Sequence, residues 1–188
     1  MTMMRPGVQL EPGARLRPAA GNWRVDPARS YVSFSARAAG RHVRGRLPLT
    51  GRVLITEPVE GSTAWLAASA GRVSTGSRTL DRELAGPSFL DAWAFPEISF
   101  RSELLAWVPA GWRAVGRLRV KGTEHELACQ LDLDRDSEPA GDSPYVRVTG
   151  GWTLDSRWIT PHWIPGLSRC IPMTCSLLLE PDLKPPVL

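Results

Sequence analysis

The chain has 188 residues, 43% of them hydrophobic and 22% charged, with a formal net charge of +4. That length suits one domain with a sizeable core and would cramp a second. No apolar run approaches the roughly 20 residues that cross a bilayer as a helix, no Arg/Lys cluster of five or more marks a nucleic-acid surface, and the odd count of three cysteines argues against a disulfide framework.

Residues 1–21, rich in Pro, Gly and Arg, lack the apolar h-region of a secretory signal. They are expected to be a disordered leader on a cytoplasmic protein, ahead of one domain over 22–181 and a tail over 182–188. Lys121 and Lys184 are the only lysines among 23 basic residues. This arginine excess reads first as a compositional bias and second as an anion-seeking face for phosphate, acidic lipid or nucleic acid.

The first clear strand is Tyr31 to Arg37, where Val32, Phe34 and Ala36 alternate with Ser33, Ser35 and Arg37. Val43 to Ile55 carries apolar pieces broken by Gly45, Pro48 and Gly51, which predicts a bent or bulged strand. Thr63 to Ala70 is a candidate strand whose Ala and Ser content leaves helix open. Leu80 to Ala85, between Gly76 and Gly86-Pro87, has room for one or two helical turns. Ile98 to Glu103, Trp112 to Val120 and Leu127 to Leu133 alternate apolar and polar residues, and V-P-A-G and V-K-G-T turns join them into an antiparallel meander. A polar loop over 134–144 precedes a strand from Tyr145 to Asp155, with Val146, Val148, Gly150, Trp152 and Leu154 in phase. Met173 to Glu180 closes the series.

About eight strands and one short helix predict an all-β sandwich or barrel. Small residues in phase with large ones (Ala36, Ala114, Gly116 and Gly150 beside Phe34, Trp112 and Trp152) favour a barrel with room for a ligand.

Several segments carry a family likeness in order and spacing. They are W-R-V-D-P-A-R-S-Y-V-S-F from Trp23, V-S-T-G-S-R-T-L-D-R-E-L from Val73, F-L-D-A-W-A-F-P-E-I-S-F-R-S from Phe89, V-G-R-L-R-V-K-G-T-E-H-E-L from Val115, and G-W-T-L-D-S-R-W from Gly151. Together they resemble the YceI-like family across roughly residues 22 to 180. The resemblance implies a lipocalin-like antiparallel barrel that holds a long isoprenoid, such as a polyprenyl chain or a quinone tail, without catalysis. The chain departs from the family pattern at Arg29 and Ala38, where the family often has His, and at Leu80 and Glu83, where an Arg and a His are replaced. The L-x-R-x-x-F/W-G ending is loosely matched over 154–160, without its glycine. The apolar lining is kept better than the polar positions that could touch a head group.

Local chemistry points away from catalysis and from metal. His42, His125 and His162 are not paired at metal spacing, His125 reads as the solvent face of a strand, and no nucleophile elbow or phosphate-cradling loop is present. The eight tryptophans are the informative side chains, since each offers a large apolar body against an alkyl chain. The expected ligand-binding residues are Phe34, Trp65, Phe89, Phe95, Phe100, Trp112, Leu118, Trp152 and Trp158, with Arg82 and Arg157 as candidates for a polar head. Phe89, Trp93 and Phe95 are expected to cover one barrel end, and Trp158 and Trp163 to form a lid or a homodimer contact. The expected partner is a long-chain apolar lipid, with no cofactor, no nucleic acid and no stable membrane insertion. The rival reading is a structural barrel filled by its own side chains, its loops binding a partner.

Overall fold

The computed structural model describes residues 8–9, 17–38, 40–108, 111–133, 145–160, 162 and 164–182. Nine strands form one antiparallel sheet: β1 (Gly21–Val25), β2 (Tyr31–Ala38), β3 (Arg41–Ile55), β4 (Thr63–Ser69), β5 (Glu97–Val108), β6 (Gly111–Val120), β7 (Thr123–Leu133), β8 (Val146–Asp155) and β9 (Cys170–Pro181). Among the described residues one α-helix, α1 (Arg78–Ala85), lies between β4 and β5. The chain meanders from β3 to β9, each strand pairing with the next, and the sheet then closes on itself.

Closure uses a shared place. β1 and β2 both lie between β3 and β9, one above the other: β1 pairs with Gly51–Ile55 and Leu179–Pro181, β2 with Arg41–Pro48 and Met173–Ser176. Nine strands thus fill eight positions of a barrel. The corner between β1 and β2 would orphan ladder groups on both neighbours, and buried backbone groups need partners. Ser30 and Asp26 supply them. Ser30 Oγ accepts from Leu178 N–H at 2.9 Å, Ser30 O from Leu49 N–H at 2.9 Å, and Asp26 N–H donates to Leu178 O at 2.9 Å. Ser30 is accordingly only 2% exposed.

The predicted bend in Val43 to Ile55 is a change of partner within one 15-residue strand rather than an interruption. Thr63–Ser69 is a strand, so the helical option there is not taken. The V-K-G-T turn is a two-residue hairpin in which Lys121 (φ 49°) and Gly122 (φ 76°) both take the left-handed conformation that matches strand twist. Lys121 is not a glycine, and its strain is offset by its ammonium, which donates to the carbonyls of Pro87 and Ile159. β5 and β6 slip register between Ser102 and Leu104. The bulge aims Ser102 Oγ at Ala64 N–H, which it meets at 2.7 Å where the β4–β5 ladder stops.

Before β1, Val8–Gln9 and Arg17–Pro18 form a short antiparallel ladder. The rest of the leader to residue 16, the 134–144 loop, Trp163 and the tail beyond 182 lie outside the described residues.

Candidate functional site

Strand direction gives the barrel two distinct ends. β2, β4, β6 and β8 finish at one end, where β3, β5, β7 and β9 begin, and α1 with the segments 86–96, 156–160 and 164–169 gathers there as a rim. At the opposite end Trp23, 3% exposed, fills the interior, its indole N–H donating to Ala19 O at 3.0 Å.

Between rim and floor runs a cavity of about 870 Å³, toward the upper end of the roughly 300–1,000 Å³ usual for small-molecule sites. On β3 alone its wall runs from Arg41 at the rim to Ile55 near the floor. Its surface is aliphatic and aromatic almost throughout. The polar exceptions are Arg41, Ser77, Thr79 and Glu83, all at the rim, and Ser99 just below it. Two thiols also face it. Burial pushes the Cys129 thiol up to about 11 and the Cys175 thiol up to about 12, the latter with help from neighbouring Cys129, so both stay protonated at neutral pH.

Of the residues singled out by sequence, Phe34, Phe89, Phe100, Trp112, Leu118 and Trp152 line this cavity. The other five do not. Trp65 is 44% exposed on the outside of β4, between Arg52 and Arg101 on the flanking strands. Alternation misleads there because Ala64, Trp65 and Leu66 are all apolar, and Ala64 and Leu66 take the inward places. Phe95 lies against the β6–β7 hairpin, where a Cβ on Gly122 would stand 3.0 Å from its ring. Trp158 stacks on His125, ring centroids 4.2 Å apart and 11° from parallel, so His125 is half-buried rather than solvent-facing and burial lowers its pKa. Arg82 is exposed on α1. Arg157 is spent on Asp155, with Nη2 to Oδ2 at 2.7 Å. That guanidinium, with the backbone N–H of Arg157 and the side chain of Arg169, holds the Asp155 carboxyl well below the usual carboxylate range. Trp93, expected to help cover the barrel end, instead points into solvent at 96% exposure.

The small inward residues divide. Ala36 and Ala114 line the cavity and make room. Gly116 does something else: a Cβ there would sit 2.1 Å from Arg101 O, so its smallness admits the close approach of β5 at the bulge. Gly150 likewise lets Leu131 and Cys175 close in, at 2.5 and 3.2 Å from where its Cβ would be.

The four departures from the family pattern also divide. Ala38, Leu80 and Glu83 line the cavity at the rim. Arg29 does not; it donates to Asp26 Oδ2 at 2.6 Å, and its guanidinium carbon lies 4.6 Å from the centre of the Tyr145 ring. It braces the β1–β2 corner from outside.

Sequence reasoning named Ala38, Leu80 and Glu83 as departures from the family pattern but did not single out Arg41, Ser77 and Thr79 beside them. Ser77 and Thr79 lie inside the segment from Val73, Arg41 lies in none of the family-like segments, and only the barrel closure brings all of them together.

A family model described as the YceI-like domain matches residues 23–156, more than half of the chain. The fold is similar to that of Burkholderia cenocepacia BcnA, with TM-score 0.70 and 15% identity over 82% of this chain and 98% of that one. It is similar to a polyisoprenoid binding domain from Saccharophagus degradans, with TM-score 0.64 and 13% identity over 85% and 98% of the two chains. It is also similar to the Campylobacter jejuni YCEI protein, with TM-score 0.64 and 14% identity over 74% and 85%. At such identities the structural likenesses speak for the fold alone. None of the curated proteins compared matches the chain.

Proposed function

The chain belongs to the YceI-like domain family, and from that premise we propose that it binds a long apolar lipid of the isoprenoid type, a polyprenyl or quinone tail, inside its barrel, as a carrier or buffer rather than a catalyst. The observation that carries this reading is the cavity of about 870 Å³ whose charged groups, Arg41 and Glu83, are confined to the rim. Such a wall rewards hydrocarbon at roughly 0.8 kcal/mol per buried CH₂, and the rim leaves the polar end of a lipid among Arg41, Ser77, Thr79 and Glu83. The Saccharophagus domain, described as polyisoprenoid-binding, shares the fold. The protonated thiols supply no nucleophile to the cavity, which supports binding without chemistry.

The rival, a barrel filled by its own side chains, calls for an interior without a continuous cavity above about 300 Å³, and the observed volume disfavours it. Native mass spectrometry of protein purified from its own host tests the proposal. A co-purifying lipid mass released on unfolding is the expected result. A consistently empty barrel that also fails to take up polyprenyl phosphates or quinones would overturn it. The compartment in this reading is the cytoplasm, supported by three unbridged cysteines; recovery of the protein in a periplasmic extract would refute it.

A further inference from the structure

Trp93 is the most exposed large hydrophobic residue described, at 96% against 44% for the next, Trp65. It is held out by a built turn. Ala92 N–H donates to Ala85 O at 2.9 Å, Asp91 N–H to Gly86 O at 2.9 Å, and Phe95 N–H to Asp91 O at 2.8 Å, with Asp91 itself left-handed at φ 48°. The same segment sends Phe89 and Leu90 into the cavity. The turn thus ties an apolar projection outside the rim to two residues of the cavity wall.

Around it the rim is cationic. Arg41, Arg44, Arg72, Arg78 and Arg82 are exposed at this end, and none makes an ion pair among the described residues. Against these five stand Asp81, Glu83, Asp91 and Glu97; the Asp81 carboxylate accepts from Thr75 N–H and Oγ1, both at 2.6 Å, and keeps its charge. Asp155 is shared by Arg157 and Arg169, which leaves a further positive charge over, and Arg119 faces Glu124 across the β6–β7 ladder.

We propose that the rim is a docking surface for a bilayer that carries acidic lipids, with Trp93 as its interfacial anchor and the rim arginines as its electrostatic hold. Indole rings settle at the headgroup level of a bilayer, and basic side chains are drawn to acidic lipids at its surface. A second copy of this chain would set one cationic rim against another, so charge favours the bilayer over self-pairing. The surface is peripheral: no described helix is long and apolar enough to cross a membrane. The inference goes beyond the lipid-binding reading and does not need it, because docking is measurable without cargo.

Co-sedimentation with vesicles of phosphatidylcholine alone, or of phosphatidylcholine with phosphatidylglycerol, tests it on the full chain. Binding should require phosphatidylglycerol and weaken as salt rises. Trp93→Ala should weaken it about tenfold, and Arg72→Gln with Arg78→Gln and Arg82→Gln about fivefold per arginine. All four side chains are exposed, so the variants should melt with the parent. The proposal is overturned by no sedimentation with acidic vesicles at low salt, or by Trp93→Ala binding as the parent does. Concentration-dependent pairing in light scattering that Trp93→Ala abolishes would assign the tryptophan to a protein interface and overturn it as well.

Discussion

Ala114→Phe is the substitution that best separates an empty interior from a filled one. Ala114 is 2% exposed, faces Leu105 and Cys129 on the flanking strands, and lines the cavity. In a close-packed core, so large an insertion costs typically 1–3 kcal/mol. That would lower the melting temperature by several degrees, at about 2–4 °C per kcal/mol for a domain of this size. Into an open cavity of about 870 Å³ the ring should enter with little strain and bury apolar surface, leaving the melting temperature unchanged or raised. Ligand binding should move the other way. The substitution adds six carbons, more than one isoprene unit, and displaces tail worth up to about 5 kcal/mol at 0.8 per CH₂. If the tail recovers half of this by shifting toward the rim, about 2.4 kcal/mol remains, a weakening of roughly 60-fold. Thermal melts of ligand-free protein and titration with a quinone or polyprenyl phosphate would measure both. A variant that melts several degrees lower and still binds as the parent does would refute the cavity as the binding site.

Gly116→Ala should destabilise the barrel by about 3 kcal/mol, since its Cβ would sit 2.1 Å from a backbone oxygen that cannot rotate away; chemical denaturation would show this. Of the three thiols only exposed Cys170 should react with a maleimide near pH 8 in the folded protein, because burial raises Cys129 and Cys175 to about 11 and about 12; mass spectrometry should count one adduct native and three unfolded. Asp155, with its carboxyl held low by Arg157, Arg157 N–H and Arg169, binds fewer protons folded than unfolded. Its contribution is therefore complete above the ordinary aspartate pKa, near 3.9, and is lost as pH falls below it. The gap in melting temperature between the parent and Asp155→Asn should be constant at neutral pH and narrow below about pH 4; a gap that widens in acid would contradict this.

The strands from Tyr31 onward were legible because side-chain alternation is a local property, and the meander followed because its turns carry their own chemistry. β1 was not: five residues, Gly21–Val25, opening with glycine and asparagine, are too short to alternate convincingly. Its sharing of one barrel position with β2 is a long-range fact, visible only in the pairing of both with β3 and β9. The apolar wall of the site was largely legible, since Phe34, Phe100, Trp112, Leu118 and Trp152 sit in the inward phase of clear strands. Trp65 failed where both phases were apolar. Arg82 and Arg157 failed because a sequence shows that an arginine is present but not which carboxylate or solvent face claims it. Glu83 stood out singly, but the rim as a ring was illegible because its members come from β3, the loop before α1, and α1 itself.

The pairing that closes the barrel also decides how the molecule can be held. Trp23 lies opposite Pro181, and Asp182 N–H donates to Asn22 O at 2.8 Å. The path into the barrel and the path out of it therefore pass side by side at the floor, with the rim at the far end. Whatever is attached before residue 21 or after residue 182, whether a tag, a surface tether or a second domain, hangs the barrel by its base like a cup on a stem. The opening then faces away from the support. An attachment made directly at residue 21 or at residue 182 would present the barrel mouth-outward, and the two sites would be interchangeable in orientation.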